Sequence, residues 1–372
     1  MHTVAAAWLM TTLTPSPVMV SLVQTAGTLP SFLLALPAGA LADSVDRRRL
    51  LLWTQSWMLA AAAILGITTL AGATGPWTLL WLTFALGLGA AVNAPAWAAS
   101  IPDLVPPEQL ASAVTLNSVQ FNAARALGPA IAGVVLASSG PAAAFLLNAI
   151  SFVGVLIAIY AWNARPRETL ALVAFGHSIR EGLQFVLRDR KLKLVFRRAG
   201  VFVMFGSALW ALLPVIARQQ LHASEARFGL MLSSLGTGAA VAGMWLARSR
   251  SNWRSDHLLT AGIALFGVVN FGLSRLTNIG PAYLWLIAGG LAWVTVMSSL
   301  TVAAQRALPD WVRARGLSVY LLVFQGGMAV SSWLWGVAAS KFGIRTAMVA
   351  AAMGLAGVAC VMFFDRSDKS FG

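Results

Sequence analysis

The sequence predicts an all-α membrane protein, and three observations support this fold class. The chain has 372 residues, of which 58% are hydrophobic and only 10% are charged, and its mean hydropathy is +0.76. Soluble domains are about 25% charged, so the composition excludes a soluble enzyme, a filament and a disordered chain. The apolar residues form long uncharged stretches, and they do not alternate with polar residues as the strands of a membrane barrel would.

Eleven of these stretches are long enough to cross a bilayer, because one helical crossing needs about 20 residues. They lie at 17–42, 50–72, 77–99, 112–137, 142–163, 199–217, 228–247, 258–274, 281–305, 317–338 and 346–364. The opening apolar segment, residues 1–13, would reach only about 20 Å as a helix, which is less than the hydrocarbon thickness of about 30 Å. We expect it to be the second half of a first span whose beginning lies outside this sequence.

The basic residues predict the orientation of the helices. Loops at alternate ends of the spans carry 20 Lys and Arg on one side and 5 on the other. Positive residues accumulate in cytoplasmic loops, so the richer set, which includes 43–49, 164–198 and the C-terminal tail, is predicted to be cytoplasmic. We expect the net charge of +14 to bind anionic lipids on that side rather than nucleic acid.

The loop lengths predict two bundles. We expect an N-terminal helical bundle at 1–163, a cytoplasmic linker at 164–198, a C-terminal bundle at 199–364 and a cytoplasmic tail at 365–372. IPDLV at 101–105 and LPDWV at 308–312 enter corresponding spans on the same side of the membrane, which indicates an internal repeat.

The linker contains apolar residues with helical spacing, which are Ile179, Leu183, Val186 and Leu187. Basic residues surround them. This pattern predicts an amphipathic helix at the membrane interface. An ordinary solvated linker is the alternative.

Two segments carry residues suited to conformational change. GALADSVDRRRLLL, residues 39–52, contains Gly39, which permits close helix approach, and Asp43, which places a carboxylate at a helix end; Arg47 and Arg48 supply hydrogen-bond donors. A plain basic anchor is the alternative interpretation.

RALGPAIAG, residues 125–133, combines a proline, which lacks a backbone donor, with glycines that allow bending or close packing. In a membrane helix this second pattern alone is more often a packing feature.

Together these segments resemble the major facilitator superfamily. The first is similar to the loop signature between the superfamily's second and third helices, but Ser44 stands where a basic residue is usual and Asp46 where glycine is usual. The second is similar to the glycine–proline signature of the fifth helix in exporters. The stretch from AAAWLM to PAGALAD, with SIREGLQFVLRD and PDWVRARGLS, resembles the enterobactin-exporter-like, or transmembrane secretion effector, branch over essentially the whole chain.

The resemblance implies the major facilitator fold, with two pseudo-symmetric six-helix bundles formed by eleven full spans plus the partial first. It implies that Asp43 and Arg47 latch the cytoplasmic ends of the bundles together. It also implies a transporter of the bacterial inner membrane that needs no cofactor and works by proton antiport. The gating residues it indicates are Gly39, Asp43, Asp46, Arg47, Arg48, Gly128, Pro129 and Gly133. No Asp or Glu lies inside a span, so the sequence does not identify the proton-carrying group.

One face of the fifth helix is predicted to line a central cavity. At about 100° per residue, Asn117, Phe121, Arg125 and Gly128 fall on one side of it. Arg125 is the one charged residue inside a span and favours a substrate with anionic character; a structural arginine that bonds to neighbouring helices is the alternative. The other candidates, each of which alone could serve only as an interhelical contact, are Gln24, Asn93, Asn148, Asn270, Gln325, Trp210 and Trp293.

The leading functional interpretation is an exporter that moves a small molecule, such as a siderophore or an amphiphilic antibiotic, by alternating access. We expect a monomer with no metal site. The sequence contains no phosphate-binding loop and no metalloprotease or serine hydrolase motif, so neither ATP-driven transport nor an intramembrane enzyme is expected. A membrane scaffold or receptor with a transporter fold but no transport is the alternative.

Overall fold

The computed structural model describes residues 1–162, 189–248, 255–309 and 313–364, and all regular structure in this part is helical. Two short elements are a 3₁₀ turn, Pro107–Gln109, and a π turn, Ile216–Gln220. The helices are α1 (His2–Leu13), α2 (Pro17–Ser44), α3 (Arg47–Leu70), α4 (Pro76–Leu104), α5 (Leu110–Ala161), α6 (Arg190–Val215), α7 (Glu225–Arg248), α8 (Ser255–Arg275), α9 (Ile279–Ala307), α10 (Arg313–Phe342) and α11 (Ile344–Phe364).

Each predicted span overlaps one of these helices. Within the described residues, 10 helices are long and apolar enough to cross a membrane. One of them, α5, contains two predicted spans, because the chain turns at Gly140, whose φ of 76° is one that glycine adopts readily. Residues 110–139 and 141–161 form its first and second limbs. The predicted short opening helix is α1, which has 12 residues.

The start of α6 differs from the prediction. The sequence assigns residues 190–198 to the linker, but α6 already begins at Arg190. Asp189 caps it by accepting a hydrogen bond from the Leu192 amide at 2.8 Å, and Leu192 and Val195 are buried. Four of the basic residues in this segment, Arg190, Lys191, Lys193 and Arg197, are exposed, whereas Arg198 is buried and pairs with Asp256. The amphipathic helix predicted for the linker and the tail 365–372 lie outside the described residues.

The helices pack as two groups with the same internal arrangement. In the N-terminal group, α2 packs on α4, while α3 packs on α4 and α5. In the C-terminal group, α7 packs on α9, while α8 packs on α9 and α11. These pairs correspond when the helices are matched in order and the two limbs of α5 count as two helices. The arrangement is the pseudo-symmetry of two bundles that the sequence predicts.

The two groups meet mainly through two pairs of helices, α2 with α10 and α5 with α7. In the matching of the two groups, α2 corresponds to α7 and the first limb of α5 corresponds to α10. The two pairs therefore involve corresponding helices of the two groups, so they are equivalent contacts. Any cleft between the groups lies between these two crossings.

Candidate functional site

The first crossing between the groups, α2 with α10, is closest near the start of α2. The Thr25 hydroxyl donates to the Ala329 carbonyl at 2.8 Å. Ser21, one turn earlier on the same face, is so close to Gly336 that a Cβ on this glycine would overlap the serine hydroxyl. Glycine at position 336 is therefore required for this approach.

The second crossing, the first limb of α5 with α7, is made by two glycines. A Cβ placed on Gly133 would lie 2.7 Å from Gly229 Cα, and one placed on Gly229 would lie 2.9 Å from the Pro129 carbonyl oxygen. Ser21 and Gly229 are each the fifth residue of their helix, and Gly133 and Gly336 are each the twenty-fourth. The two crossings are therefore equivalent, and together they form what is named here the clasp.

The groups separate away from the clasp. Gly39 lies about five turns beyond Ser21 on the same face of α2, and a Cβ there would meet nothing within 4 Å. Gly243 lies within about 40° of Gly229 around the axis of α7, and a Cβ placed on it would likewise meet nothing within 4 Å. A cleft therefore opens at the end where α2 and α7 finish, named the wide end, and closes at the narrow end that holds the clasp. Gly39 makes no close contact with the described residues in this state.

The glycine–proline segment of α5 is only partly as expected. Gly133 makes the close helix contact that the sequence predicts, and the Pro129 carbonyl lies at the same crossing. A Cβ on Gly128 would meet nothing within 4 Å. Gly128 therefore makes no close packing contact with the described residues, since it lies about 140° around the helix from Gly133.

A cluster of side chains that the sequence did not single out joins the groups at the narrow end. Trp8 Nε1, on α1, donates to Glu225 Oε1, at the start of α7, at 3.1 Å. The Trp8 ring stacks on Phe228 with ring centroids 5.2 Å apart. The guanidinium carbon of Arg218 lies 5.2 Å from the centroid of the Trp8 ring, within range of a cation–π attraction. These four residues, Trp8, Arg218, Glu225 and Phe228, form the Trp8 tie.

Two of the polar residues predicted to line the cavity make hydrogen bonds between helices of the N-terminal group. Asn93 Oδ1 accepts hydrogen bonds from Thr54 Oγ1 at 3.0 Å and from Gln55 Nε2 at 3.2 Å, which joins α4 to α3. Asn117 Oδ1 accepts from Trp97 Nε1 at 3.4 Å, which joins α5 to α4. Asn93 thus has the interhelical role that the sequence leaves open as its alternative, while Asn117 sits in the part of α5 that approaches the wide end.

The two tryptophans predicted as stacking surfaces belong to one aromatic cluster in the C-terminal group. Trp293, on α9, is 5% exposed, and its ring centroid lies 5.4 Å from those of Phe202 and Trp210. Trp293 is therefore a core residue. Trp210 is half-buried, and its Nε1 has no hydrogen-bond partner in the part of the chain that the structure describes. The Trp210 Nε1 atom is itself buried, so in this state its donor lies within the aromatic cluster.

The remaining candidates are less informative. Asn270 is buried and its Nδ2 donates to the Phe266 carbonyl of the same helix at 2.7 Å, so it belongs to the packing of the C-terminal group. Half-buried positions on α2, the second limb of α5 and α10 are occupied by Gln24, Asn148 and Gln325. The side chains that lie outside the described part of the structure are those of Asp43, Phe121 and Arg125.

The arginines of the predicted latch bind within the N-terminal group. Arg47 Nη1 donates to the Ala99 carbonyl and to the Asp103 carboxylate, both at 2.8 Å. Arg48 donates to two carbonyls at the end of α5, at 2.7 and 3.1 Å. Asp46 caps α3 by accepting a backbone hydrogen bond at 2.8 Å. These described contacts all lie within the N-terminal group, and the expected bridge to the C-terminal group is not among them.

The chemistry that this geometry offers is binding. Among the described residues, no group of three or more His, Cys, Asp or Glu side chains could hold a metal ion. The clasp closes the space between the two groups at the narrow end.

Comparisons with known proteins find relatives over the whole chain. A family profile described as transmembrane secretion effector matches residues 1–369. The staphyloferrin A transporter of Staphylococcus aureus is 26% identical over 367 residues, which cover 96% of this chain and 89% of that protein. Macrolide efflux protein A of Streptococcus pyogenes is 24% identical over 270 residues, which cover 68% of this chain and 64% of that protein.

Solved structures share the fold. A bacterial homologue of the human lysosomal transporter Spinster, in an inward-facing and occupied conformation, has a TM-score of 0.72 and 15% identity, and the match covers 97% of this chain and 91% of that one. The D-xylose-proton symporter has a TM-score of 0.72 and 14% identity, with 98% and 93% covered. At these identities the likeness concerns the fold alone.

Proposed function

Because the chain belongs to the transmembrane secretion effector family of the major facilitator superfamily, we propose that it is a secondary transporter that exports a small molecule from the cytoplasm. The observation that supports this direction is the likeness to macrolide efflux protein A, while the asymmetry of the cleft, which is packed at the clasp and open at the wide end, supports alternating access. The wide end bears the loops with 20 of the basic residues, the side predicted to be cytoplasmic. The structure then represents a state that loads substrate from the cytoplasm.

Export requires the clasp to open and the wide end to close. In the opposite state, the Gly39 face of α2 would approach α10, and the latch role implied for Asp43, Asp46, Arg47 and Arg48 would act there. Arg47 is bound to Asp103 at 2.8 Å in the present state, so this pair would hold the arginine until the wide end closes. Gly128 and Pro129 would let the first limb of α5 bend during the movement.

We expect the substrate to be siderophore-like or amphiphilic and drug-like. Two relatives support this class by name, the staphyloferrin A transporter and macrolide efflux protein A. Arg125 shares a face of α5 with Asn117 and Phe121 at about 100° per residue, which favours an anionic group on the substrate. The other side chains proposed to line the cavity are Gln24, Asn148, Trp210 and Gln325. Asn93 and Trp293 are not among the proposed cavity residues, because Asn93 is hydrogen-bonded to α3 and Trp293 is buried.

The proposed energy source is an ion gradient, with the proton as the expected ion and no cofactor. A proton-coupled protein, the D-xylose-proton symporter, has the same fold. We propose that the chain works as a monomer in the bacterial inner membrane with its C-terminus in the cytoplasm. Anionic lipids would bind the basic wide end.

Flux in everted inner-membrane vesicles, whose cytoplasmic face is outward, tests the proposal. Vesicles with the chain and matched vesicles without it receive radiolabelled staphyloferrin A or erythromycin, with a pH gradient imposed and then collapsed by an ionophore. We expect accumulation that needs both the chain and the gradient. Equal flux in the two sets of vesicles under every gradient would overturn the proposal and favour the scaffold or receptor.

A further inference from the structure

The acidic residues are distributed unevenly between the two ends of the molecule. The chain contains 12 Asp and Glu, and in the predicted topology Glu225 is the only one at the narrow end. The acids that the structure describes at the wide end are Asp46, Asp103, Glu108, Asp189 and Asp256. Glu225 is therefore the single carboxylate that extracellular protons would reach first.

Glu225 also connects the two helix groups. It is the first residue of α7 in the C-terminal group, and its Oε1 accepts the hydrogen bond from Trp8 Nε1, on α1 in the N-terminal group, at 3.1 Å. Trp8 is only 2% exposed, so little water competes for its N–H. This hydrogen bond exists only while the groups are packed together at the narrow end.

The charged and titratable groups around Glu225 are otherwise basic. Arg218 lies on the π turn after α6 and contacts the other partner of the bond, the Trp8 ring. His222 is exposed in the loop, and Arg227 is exposed on α7. Among the described residues, the ends of α1, α2 and α5 that reach the narrow end carry no charged side chain, and Arg275 of α8 stacks on an aromatic ring of its own helix. No neighbouring acid can replace Glu225 in the tie.

We propose that Glu225 is the acid-sensitive gate residue of the narrow end, an inference that rests on the proposed alternating access. The ionised carboxylate accepts a charge-assisted hydrogen bond from Trp8, and such bonds are roughly twice as strong as neutral ones. When the carboxylate takes a proton from extracellular water, the neutral acid loses this advantage. The closed state loses stability relative to the open one, so external acid favours opening of the narrow end.

Distances across the narrow end test this inference without a known substrate. Spin labels are attached at Ala73→Cys and Thr277→Cys, which are exposed positions in different groups, in a chain whose free cysteine is removed by Cys360→Ala. Pulsed electron spin resonance in lipid nanodiscs is recorded at about pH 7.5 and about pH 4.5, which spans the range in which carboxylic acids titrate. We expect the longer distance to gain population in acid.

Glu225→Gln keeps an acceptor oxygen but loses the charge, so it should raise the ratio of open to closed narrow ends about tenfold at the higher pH, as expected when a charge-assisted hydrogen bond becomes a neutral one, and should remove most of the acid response. Trp8→Phe, which keeps an aromatic ring but loses the donor, should also raise this ratio and remove most of the acid response, and the double variant should add little. Glu108→Gln, an acid of the wide end, and His222→Gln, a second titratable group of the narrow end, should keep the wild-type response. Thermal unfolding of each variant identifies those that fail to fold.

Two results would overturn the proposal that Glu225 is the gate residue. One is a Glu225→Gln distance distribution equal to that of the wild type at the higher pH, and the other is a full acid response in this variant. A failure of the proposed export looks different, because no radiolabelled compound would then cross the vesicle membrane while the label distances still responded to Glu225. The two proposals can therefore fail separately.

Discussion

The contact between Gly133 and Gly229 predicts that a single methyl group will open the clasp. In Gly133→Ala, the new Cβ would lie 2.7 Å from Gly229 Cα, whereas carbon atoms in contact are about 3.5–4.0 Å apart. The neighbouring atoms are backbone atoms, so no side-chain rotation relieves the overlap. The first limb of α5 and α7 must therefore separate by about 1 Å.

The free-energy cost of this separation falls on one state only. Adding a methyl group to a well-packed contact costs about 1–3 kcal/mol, and the overlap exists only while the clasp is closed. The ratio of open to closed narrow ends should therefore rise by roughly fivefold to a hundredfold, at about 1.4 kcal/mol per factor of ten. Gly229→Ala should have at least as large an effect, because its Cβ would also lie 2.9 Å from the Pro129 carbonyl oxygen.

Spin labels at Ala73→Cys and Thr277→Cys measure this shift as growth of the longer distance. Gly154→Ala is the matched control, because it lies in the second limb of the same helix and a Cβ there would meet nothing within 4 Å. It brings the same gain in helix propensity, about 1 kcal/mol, without the overlap. Equal distance distributions for Gly133→Ala and Gly154→Ala would refute the reasoning, because the clasp would then not limit opening.

Three further predictions concern other sites. Arg125→Ala should abolish gradient-driven accumulation of the radiolabelled compounds while membrane insertion is unchanged; loss of the folded protein would instead support a structural arginine. Asn93→Leu leaves Thr54 and Gln55 without their shared acceptor and should lower the free energy of unfolding by about 1 kcal/mol, measured in detergent with Leu59→Ala as a packing reference; an unchanged value would contradict the hydrogen-bonding role. Asp256→Asn weakens the pair with Arg198 at 3.2 Å, whose arginine side chain is only 8% exposed, and should cost about 1–3 kcal/mol. Asp103→Asn, in a pair whose side chains are 21% and 34% exposed, should cost only about 0.5 kcal/mol, and a reversed order would argue against burial as the cause.

The spans could be predicted from the sequence because membrane crossing requires a minimum length of uncharged apolar residues, and this requirement is local. The start of α6 could not, because Arg190, Lys191 and Lys193 interrupt the apolar run although they lie on the exposed side of a helix. Asp189 could have indicated this helix start, because it lies three residues before Leu192, the spacing at which a capping side chain accepts a backbone hydrogen bond. The charges alone therefore predict a loop at this position, whereas the capping residue predicts that a helix begins there.

The site was harder to predict, since a transporter's side chains have different partners in different states. Arg47 and Arg48 were expected to bridge the bundles, and they instead bind α4 and α5 within the N-terminal group. A sequence records residues that serve both states and does not indicate which state a structure adopts. The Trp8 tie was missed for another reason, because Trp8 and Glu225 are 217 residues apart, and only the packing of the two groups brings them together.

The clasp and the Trp8 tie have different relations to the pseudo-symmetry of the molecule. The clasp is made twice at equivalent helix positions, so its two crossings can open and close together in one rocking movement. The tie has no equivalent, because the first residue of α7 is Glu225 and the first residue of α2 is Pro17, which has no charge to accept a hydrogen bond. The paired crossings by themselves do not respond to pH. The hydrogen bond to the ionisable carboxylate of Glu225 makes opening of the narrow end depend on the pH of the solution outside it.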